Sequence, residues 1–396
     1  MRDKVFANKS IDACYGCQAC VQICSHEAIT MRPNYEGFLF PYIDVNRCVD
    51  CGLCQRTCPT QEENLSRLFH PTPPTVYAAW NRDLSERLES SSGGVFYLLA
   101  KLFIEDGGIC YGADYNENMY VFHRRFADNE TLKRARGSKY VQSDIEGTYV
   151  QVQKDLNEGH KVLFSGTPCQ VAGLRLFLRK PYDNLITIDL VCHGVPSPLL
   201  FKEHIQYMEK KYKDHVTDLK FRAKRRSGWR SYVKCIFSNH QPLWSFWGKN
   251  FYCYGFHQGY FNRSSCYMCD FSRKERIGDI TLSDFWNAES KYPELKKARK
   301  WGFNLVMCNT MRGQVLFNGI ALNVESHAYP VQTAIDGDVR LRHTEQRPAL
   351  REYVYKLLNE KGYAYLETTY GTKLTLFQRI VPTWIKNVIR EIQCKL

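Results

Sequence analysis

The sequence of 396 residues contains no hydrophobic run that approaches the about 20 apolar residues of a membrane-spanning helix. Its first residues, MRDKVFANKS, contain no apolar segment of the kind that a secretory signal has. It also contains neither the G-x-G-x-x-G fingerprint of dinucleotide-binding folds nor a Walker phosphate loop, so these motifs predict no nicotinamide or ATP site. These absences favour a cytoplasmic protein without a membrane span.

Cysteine, by contrast, is abundant: the chain has 17. Eight of them form two runs near the N-terminus with the same C-x2-C-x2-C-x3-C spacing, namely Cys14, Cys17, Cys20 and Cys24, then Cys48, Cys51, Cys54 and Cys58. This double run is the pattern of bacterial two-cluster ferredoxins, in which the fourth cysteine of each run ligates the other run's cluster. We therefore predict one 4Fe-4S cluster on a first set (Cys14, Cys17, Cys20, Cys58) and another on a second set (Cys24, Cys48, Cys51, Cys54).

Zinc and disulfides are the alternatives for these eight cysteines. Zinc sites usually show two C-x2-C pairs with a longer spacer, often with histidine, and the two runs lack that spacing. A disulfide framework is expected in exported proteins, whereas a thiol-rich chain without an export signal is expected to use its cysteines as ligands. Ser25 follows the first run where two-cluster ferredoxins usually have proline, which perturbs the turn after Cys24 without affecting ligation.

Acidic residues are the scarcer charge, since 41 Asp and Glu stand against 54 Lys and Arg, for a formal net charge of +13. Such an excess ordinarily suggests a nucleic-acid partner. Twelve thiolates in three clusters (the third is argued below) would lower it to about +7, because each oxidised cubane with its ligands carries about −2. We interpret much of the basic excess as counter-charge and docking surface for anionic cofactors, and expect no nucleic acid as partner.

The rest of the chain predicts an α/β fold (α+β overall). The polar stretch from Pro59 to Thr75 contains four prolines and predicts a linker. After it, strands such as TVYAAW, KVLFSG and LITIDL alternate with helical segments, which indicates a mostly parallel sheet covered on both faces, with additional β-rich segments further on. The predicted divisions are a ferredoxin-like domain at 1–60, a linker at 61–75, a body in two parts at 76–155 and 156–330, and a helical tail at 331–396.

A further group of cysteines falls within the body. Cys266 and Cys269 form a C-x2-C pair, while Cys169 and Cys192 each follow a predicted strand. Because the carboxyl ends of parallel strands share one edge of a sheet, these four, the third set, are expected to meet there and to hold a third 4Fe-4S cluster. The alternatives are a zinc knuckle completed by His193 or His257, and buried unligated thiols. The remaining cysteines, Cys110, Cys235, Cys253, Cys308 and Cys394, are interpreted as small buried hydrophobic residues.

Three segments are candidates for a phosphate-bearing cofactor. The segment Ser90–Gly94 precedes an apolar helix, whose N-terminus suits a phosphate or simple serine capping. The basic segment 133–143 offers Arg134, Arg136 and Lys139 beside Tyr140, which suits a pyrophosphate and a stacked ring or an ordinary solvated loop. Residues 165–168 form a loop between a strand and a helix, the position where cofactors often bind.

The motifs SSGGVFYLLA, RGSKYVQS, FSGTPCQVAGLR, DLVCHGVPS, CYMCDF and GDITLSDFW, in this order, resemble the β-subunit family of coenzyme F-420 hydrogenases and dehydrogenases. The resemblance covers roughly residues 75–325, and a fused N-terminal two-cluster ferredoxin is frequent in that family. It implies FAD next to a 4Fe-4S cluster, with hydride transfer to or from a deazaflavin. Relatives in plants and cyanobacteria reduce chlorophyll-type groups, and many bacterial members are encoded near genes for surface polysaccharide synthesis. The implied FAD residues are Ser92, Gly93, Gly94, Lys139, Tyr140, Ser165, Gly166 and Thr167, and the third set becomes the flavin-proximal cluster.

The predicted function is therefore that of an iron–sulfur flavoprotein oxidoreductase, with a small-molecule redox substrate and an electron donor or acceptor protein, or a partner subunit, as partners. His193 is a candidate general acid, and a structural role is the alternative. The C-terminal segment 375–396 predicts an amphipathic basic helix that docks on the protein or lies on an anionic membrane. Two rival functions are a non-catalytic electron-transfer subunit and an iron–sulfur nucleic-acid-binding protein without flavin, to which the basic run 221–230 would contribute.

Overall fold

The computed structural model describes residues 10–225 and 228–371. The predicted ferredoxin-like domain is a small unit of short helices and one antiparallel hairpin. It comprises α1 (Ala19–Gln22), β1 (Ile29–Pro33), β2 (Leu39–Ile43) and α2 (Leu53–Arg56). Each of the two short helices begins within a cysteine run, after a residue with positive φ, Gln18 or Gly52. The cysteines of each run are thereby turned around one point instead of along an extended strand.

The turn of the β1–β2 hairpin is fixed by Asn34 and Gly37. Asn34 Oδ1 accepts hydrogen bonds from the backbone N–H groups of Glu36 (3.1 Å) and Phe38 (2.9 Å). Gly37 has φ +83°, and a Cβ added to it would lie 2.3 Å from Leu199 Cβ in the body. Glycine is therefore required here both by the backbone conformation and by the close approach of the body.

The predicted linker, 61–75, is not an extended tether. It contains helix α3 (Glu62–Leu65), and the side chains of Leu65 and Leu68 are buried. The backbone N–H of His70 donates to the carbonyl of Arg276 at 2.9 Å. This segment therefore packs against the body and holds the N-terminal domain on it.

The body is an α/β unit, as predicted. Its strands are β3 (Thr75–Asn81), β4 (Ile109–Tyr115), β5 (Val121–Phe126), β6 (Val162–Ser165), β7 (Leu185–Leu190), β8 (Val216–Arg225), β9 (Gly228–Phe237), β10 (Leu243–Phe246), β11 (Ile280–Asp284), β12 (Asn304–Cys308) and β13 (Val324–Tyr329). Its helices are α4 (Leu84–Leu88), α5 (Val95–Glu105), α6 (Asn129–Leu132), α7 (Thr148–Asn157), α8 (Pro168–Leu178), α9 (Pro198–Tyr212), α10 (Phe251–His257), α11 (Ala288–Lys291), α12 (Lys296–Arg299), α13 (Met311–Gly319), α14 (Val331–Gly337) and α15 (Arg351–Leu366).

One large mixed sheet organises the body, with strand order β13-β3-β12-β11-β7-β6-β4-β5. Only the central strands β11, β7, β6 and β4 are mutually parallel, and the strands on both sides of them pair antiparallel. The sheet is therefore less parallel than predicted. The reason is that β3, at the start of the body, inserts between β12 and β13 near its end. The two predicted parts, 76–155 and 156–330, consequently share one sheet.

The second sheet is the three-stranded antiparallel β10-β9-β8, which accounts for the β-rich segments predicted after α9. It packs through Phe221, Val233 and Phe237 into an aromatic core that also contains residues of α9, α10 and α15. The other cores lie on the two faces of the large sheet, one of them beneath α5 and another beneath α7 and α8. The carboxyl edge of the parallel strands lies between these layers, where the candidate site is found.

Part of the predicted tail is helical in the structure, in α14, α15 and a following π-helical turn at Glu367–Gly371. The amphipathic segment 375–396 lies outside the described residues. Across residues 10–225 and 228–371, none of the helices has the length and apolar character required to cross a bilayer.

Candidate functional site

The first cysteine run is attached to the body by a fully buried arginine. Arg263, which is 1% exposed, donates from Nε to the Cys14 carbonyl at 2.5 Å and from Nη2 to the Leu39 carbonyl at 2.9 Å. Gln142 accepts from Arg263 Nη1 at 3.1 Å and donates to the Tyr15 carbonyl at 2.9 Å. Burying a guanidinium is costly unless its N–H donors are hydrogen-bonded. Arg263 finds acceptors for these donors in the N-terminal domain, so the docked position of that domain is the one that satisfies it.

A second attachment joins the hairpin turn to helix α15. Arg351 forms a bidentate ion pair with Glu36, with both N–O distances at 2.6 Å, and also donates to the Asn262 carbonyl. The side chains of Arg351 and Glu36 are 1% and 4% exposed. Ser197 Oγ donates to the Glu36 carbonyl at 2.5 Å. The N-terminal domain is thus fixed on the body, although its partners are distant in sequence.

The four cysteines of the first set are buried and line one cavity. That cavity is also lined by Tyr15, Gln18, Met31, Pro41, Pro59 and Thr60. Burial raises the pKa of Cys20, and the thiols of Cys14, Cys17 and Cys58 raise it further. The Gly16 N–H lies 3.3 Å from Cys14 Sγ, and the Thr60 hydroxyl lies 3.0 Å from Cys58 Sγ. The predicted exchange of the fourth cysteine therefore agrees with the geometry, because Cys58 of the second run faces the first.

The second set lies nearer the surface. Its Cys51 is exposed, while Cys24, Cys48 and Cys54 are half-buried. Burial raises the pKa of Cys54, and the nearby Cys48 and Cys51 thiols contribute to the increase. The same Cys54 also raises the pKa of Cys58, so the two sets adjoin.

The third set converges as predicted at the carboxyl edge of the parallel strands. Cys169 lies in the first turn of α8, Cys192 follows β7, and Cys266 and Cys269 belong to a 3-10 turn over 264–268 and its end. Burial raises the pKa of Cys169 and of Cys269 to about 12 each; the Cys192 thiol contributes to both increases, and the Cys169 thiol to that of Cys269. Burial, followed by Cys192, Cys269 and Cys169, raises the pKa of Cys266. The four cysteines are therefore close together, and a Cβ added to Gly194, two residues after Cys192, would lie 3.3 Å from Cys266 Cβ.

Hydrogen-bonding groups lie beside three of these sulfurs. The Thr167 hydroxyl lies 3.2 Å from Cys169 Sγ, and the backbone N–H groups of Gly194 and Val195 lie 3.4 Å from Cys192 Sγ and Cys266 Sγ. Such donors stabilise thiolates, and around iron–sulfur clusters they also tune the reduction potential.

The zinc alternative for the third set fits the geometry less well. A tetrahedral zinc site needs its sulfurs about 2.3 Å from one point. Within residues 10–225 and 228–371, no three His, Cys, Asp or Glu side chains are close enough to hold a single metal ion. A 4Fe-4S cluster binds its thiolates on four separate irons, further apart than the ligands of one metal ion, so this finding does not count against a cluster.

Glycine at position 173 allows the first and third sets to meet. Gly173 lies in α8, one helical turn after Cys169, and a Cβ added to it would lie 2.9 Å from Cys17 Cβ and 2.8 Å from Tyr149 Oη. Cys17 and Cys169 are near enough that the Cys169 thiol contributes to the raised pKa of Cys17. The three sets therefore follow one another in space, with the first set between the other two.

We expect Gly173→Ala to destabilise the protein by about 1–3 kcal/mol, because the added methyl group overpacks this contact. The expected loss runs against helix propensity, which favours alanine by about 1 kcal/mol. Thermal unfolding under anaerobic conditions measures the effect. Gly112→Ala is the matched control, since its added Cβ would meet only ordinary contacts at 3.9 Å or more. Equal melting temperatures for the two variants would contradict the proposed close approach.

The three cofactor segments predicted from the sequence are brought together in the structure. The Ser138 N–H donates to Ser91 Oγ at 2.7 Å, which joins the serine segment to the basic segment. Gln170, which forms a capping box with Thr167, donates to Ser143 Oγ at 2.9 Å. The basic segment is thereby joined to loop 165–168 as well, beside Cys169.

The serine segment itself differs from its expected role. Ser92 Oγ donates to the Phe303 carbonyl at 2.9 Å, and a Cβ on Gly93 would lie 2.5 Å from the Ala79 carbonyl oxygen. Gly94, with φ +85°, is the N-cap of α5, and the Val95 N–H donates to Asn304 Oδ1 at 3.3 Å. These residues satisfy the packing of α5 on β3 and β12, which is closer to the capping alternative than to a phosphate site.

We call the three joined segments, together with the strand ends beside them, the crevice. Lys139 and Tyr140 belong to it. Burial lowers the pKa of Lys139 to about 8, and its Nζ donates to the Arg134 carbonyl at 2.8 Å, closing its own loop. The Tyr140 ring packs edge-on against Phe221 and Trp247. In the third segment, the Ser165 carbonyl lies 2.9 Å from His123 Nε2, and the Gly166 N–H donates to the Ile188 carbonyl.

Two charged residues of the crevice, Arg222 and Asp284, were not predicted as site residues from the sequence. They form an ion pair at 3.0 Å with side chains 12% and 15% exposed, and the guanidinium lies 5.1 Å and 5.4 Å from the ring centres of Trp229 and Trp286. Arg222 lies in the basic run that we considered for nucleic acid. Asp284 ends β11, so its position at a strand end was the available signal.

His193 is held by Glu345. The His193 Nε2 lies 3.1 Å from Glu345 Oε2, and this contact keeps the pKa of Glu345 below its usual range. Both ring nitrogens of His193 are buried, and neither has a hydrogen-bond partner of good geometry among the described residues. His257, the other candidate zinc ligand, stacks on His193 at a ring distance of 6.3 Å.

Four of the five cysteines interpreted as hydrophobic residues are buried, as predicted: Cys110, Cys235, Cys253 and Cys308. Burial alone raises the pKa of Cys110, and it raises that of Cys308 to about 12. Cys394 lies outside the described residues.

Comparison with known families agrees with the resemblance seen in the sequence. Residues 159–332 match the family described as the C terminus of the coenzyme F420 hydrogenase/dehydrogenase beta subunit, and residues 13–61 match the 4Fe-4S dicluster domain. A comparison with curated proteins gives no significant match. Among solved structures, a chain of the F420-reducing [NiFe] hydrogenase complex from Methanosarcina barkeri is 15% identical, with 73% of this chain and 89% of that chain covered and a TM-score of 0.45.

Proposed function

We propose that this chain is an iron–sulfur flavoprotein oxidoreductase. The premise is that it joins a 4Fe-4S dicluster domain to a region of the coenzyme F420 hydrogenase/dehydrogenase beta-subunit family. It exchanges electrons between 4Fe-4S clusters and FAD, with hydride transfer to or from a deazaflavin or another organic substrate. The first and second sets hold the two clusters of the dicluster domain, and the third set holds a third cluster.

The observation that carries this proposal is the placement of the third set. Its four cysteines lie close together, Cys17 of the first set approaches the helix that bears Cys169, and hydrogen bonds join the three candidate cofactor segments. A thiolate set with this position is suited to one-electron exchange between the dicluster domain and a cofactor in the crevice.

The crevice residues support a flavin in chemical terms. When bound, a flavin supplies the conversion between single electrons and a hydride. Two buried donors beside the basic segment, Arg136 Nε and Arg222 Nε, have no hydrogen-bond partner among the described residues. Buried donors are nearly always satisfied, so unpaired ones favour an anionic or carbonyl-bearing ligand. Lys139 and Tyr140 belong to the same basic segment as Arg136, and Ser165, Gly166 and Thr167 contribute a loop at the strand edge.

The surrounding residues orient and shield this space. Trp229 and Trp286 stack at 5.2 Å and close one side of the Arg222–Asp284 pair. Lys224 donates to the Ser92 carbonyl at 2.5 Å and keeps the serine segment on β8, and burial lowers its pKa to about 7. His193 is the proposed general acid, and Glu345 orients its Nε2.

The substrate is proposed by resemblance alone. Bacterial members of the family suggest a role in surface polysaccharide metabolism, in the cytoplasm. A deazaflavin is the other candidate substrate.

A non-catalytic electron-transfer subunit is the second candidate function. The exposure of Cys51 favours this second function, because an exposed cluster site can exchange electrons with another protein. Turnover of an organic substrate by the isolated chain, with an artificial electron donor, would exclude this alternative.

Cofactor analysis of anaerobically purified protein tests the proposal. We expect about twelve iron atoms, a similar amount of sulfide and one FAD per chain, since three cubanes are bound. About eight iron atoms without flavin would reduce the protein to an electron carrier and overturn the catalytic proposal. Zinc measured in the same sample tests the zinc alternative for the third set.

A further inference from the structure

The three cysteine sets differ in their access to solvent. All four cysteines of the first set are buried, and those of the third set are half-buried at the strand edge. Only the second set includes an exposed cysteine, Cys51. A protein carrier must approach a cluster closely to exchange an electron, and the second set is the one that the N-terminal domain presents outward.

Two exposed apolar residues lie close to Cys51 in the sequence. Val45 is 53% exposed and Val49 is 58% exposed, and they lie on either side of Cys48 in sequence. These valines add apolar area beside the exposed cysteine. Encounters between redox proteins bury little area, below about 1,200 Å² in total, so a large apolar patch is not required. We call Val45, Val49, Asp50 and Cys51 the outer face.

The charge of this region is opposite to that of the rest of the chain. Residues 13–61 carry four carboxylates and three arginines, whereas the whole chain carries a formal charge of +13. Near the outer face, Arg47 is paired with Glu27 at 3.0 Å, and Arg56 donates to the Cys51 carbonyl. Two clusters with their thiolate ligands add about −4, at about −2 for each cubane. Glu36 is buried and paired with Arg351, so the other side-chain charges of residues 13–61 cancel, and the bound clusters make this domain the negative part of a positive molecule.

We propose that the outer face is the docking surface for a soluble one-electron carrier protein whose redox centre is ringed by basic residues. Electrostatic complementarity steers the encounter, and Val45 and Val49 supply the apolar contact. One electron passes between the two proteins, so that one is oxidised and the other reduced, and no atom or proton is transferred. The inference rests on the proposed function only for the clusters of the dicluster domain, and requires neither FAD nor a hydride acceptor.

Cytochrome c is the probe, because lysines surround its exposed haem edge. The dithionite-reduced protein, freed of excess dithionite, is mixed with ferric cytochrome c, and the rate of haem reduction is followed at low ionic strength. We expect Val49→Glu to accelerate the reaction and Val49→Lys to slow it, with about a tenfold difference between the two variants that decreases as salt is added. Binding of zinc-substituted cytochrome c, followed by its fluorescence, is expected to change in the same order.

The control substitutions are Leu322→Glu and Leu322→Lys. Leu322 is 91% exposed before β13, and we expect no difference between these variants. Benzoquinone, a small neutral acceptor, is expected to oxidise both Val49 variants at the same rate. Equal cytochrome rates for the Val49 variants, or an equal effect at Leu322, would overturn the docking surface. A flavin-free protein that retains the Val49 effect would refute the flavoprotein proposal and leave the docking surface supported.

Discussion

Cys192→Ala is expected to lower the iron content by about four atoms per chain while the two clusters of the N-terminal domain remain. The reason is that Cys192 belongs to the third set, whereas the first and second sets lie entirely within residues 14–58. A half-buried thiol at a strand end is also tolerant of truncation, so the fold is expected to persist. Iron and sulfide analysis of the anaerobically purified variant measures the loss, and electron paramagnetic resonance of the reduced protein shows which signals remain.

Cys308→Ala is the matched control for this experiment. Cys308 is 4% exposed at the end of β12 and belongs to none of the three sets. We expect it to retain the full iron content and to lose only packing energy. If Cys192→Ala retained the iron of the unmodified protein, or lost zinc instead, the third cluster would be excluded.

Arg351→Met is expected to destabilise the protein by about 3–5 kcal/mol, the usual consequence of leaving one member of a buried ion pair without its partner. Glu36 would then be a buried carboxylate at the junction between the N-terminal domain and the body. We expect hydrogen exchange to increase in β1 and β2 before it increases in the large sheet. Anaerobic thermal unfolding together with hydrogen exchange measures both effects.

Two further variants test the ion pair. Arg347→Met removes an arginine from a surface pair with Glu352, whose side chains are 44% and 57% exposed, and is expected to cost less than about 1 kcal/mol. The double variant Glu36→Leu, Arg351→Met removes both charges and is expected to recover part of the loss. Similar stabilities for Arg351→Met and Arg347→Met would show that the Glu36 contact does not hold the N-terminal domain.

The parts of the molecule that follow from local sequence were predictable. The spacing of the eight N-terminal cysteines sets which of them can reach one cluster, and strands such as β6 and β7 are short apolar runs with helices between them. The third set was also accessible, because Cys169 and Cys192 both follow strands of a parallel unit. The mixed character of the sheet was not, since β3 pairs with β12 and β13 more than 200 residues later.

The attachment of the N-terminal domain was not predictable for the same reason. Arg263 and Arg351 resemble surface residues in the sequence, and their partners Cys14 and Glu36 lie 249 and 315 residues away. For the serine segment, the sequence suggested a ligand site that the structure does not favour. Its composition suits a phosphate site, but Asn304 and Phe303, which occupy its polar groups, come from a distant strand.

The 315-residue separation between Glu36 and Arg351 has a consequence for biosynthesis. The N-terminal domain leaves the ribosome first, but its docking partner in α15 is among the last described residues to be made. At about 5–20 residues per second, translation between the two takes tens of seconds. During that time the cysteines of the first set, which are buried in the finished protein, are open to the surroundings. The cell's iron–sulfur assembly machinery therefore has its widest access to them on the nascent chain.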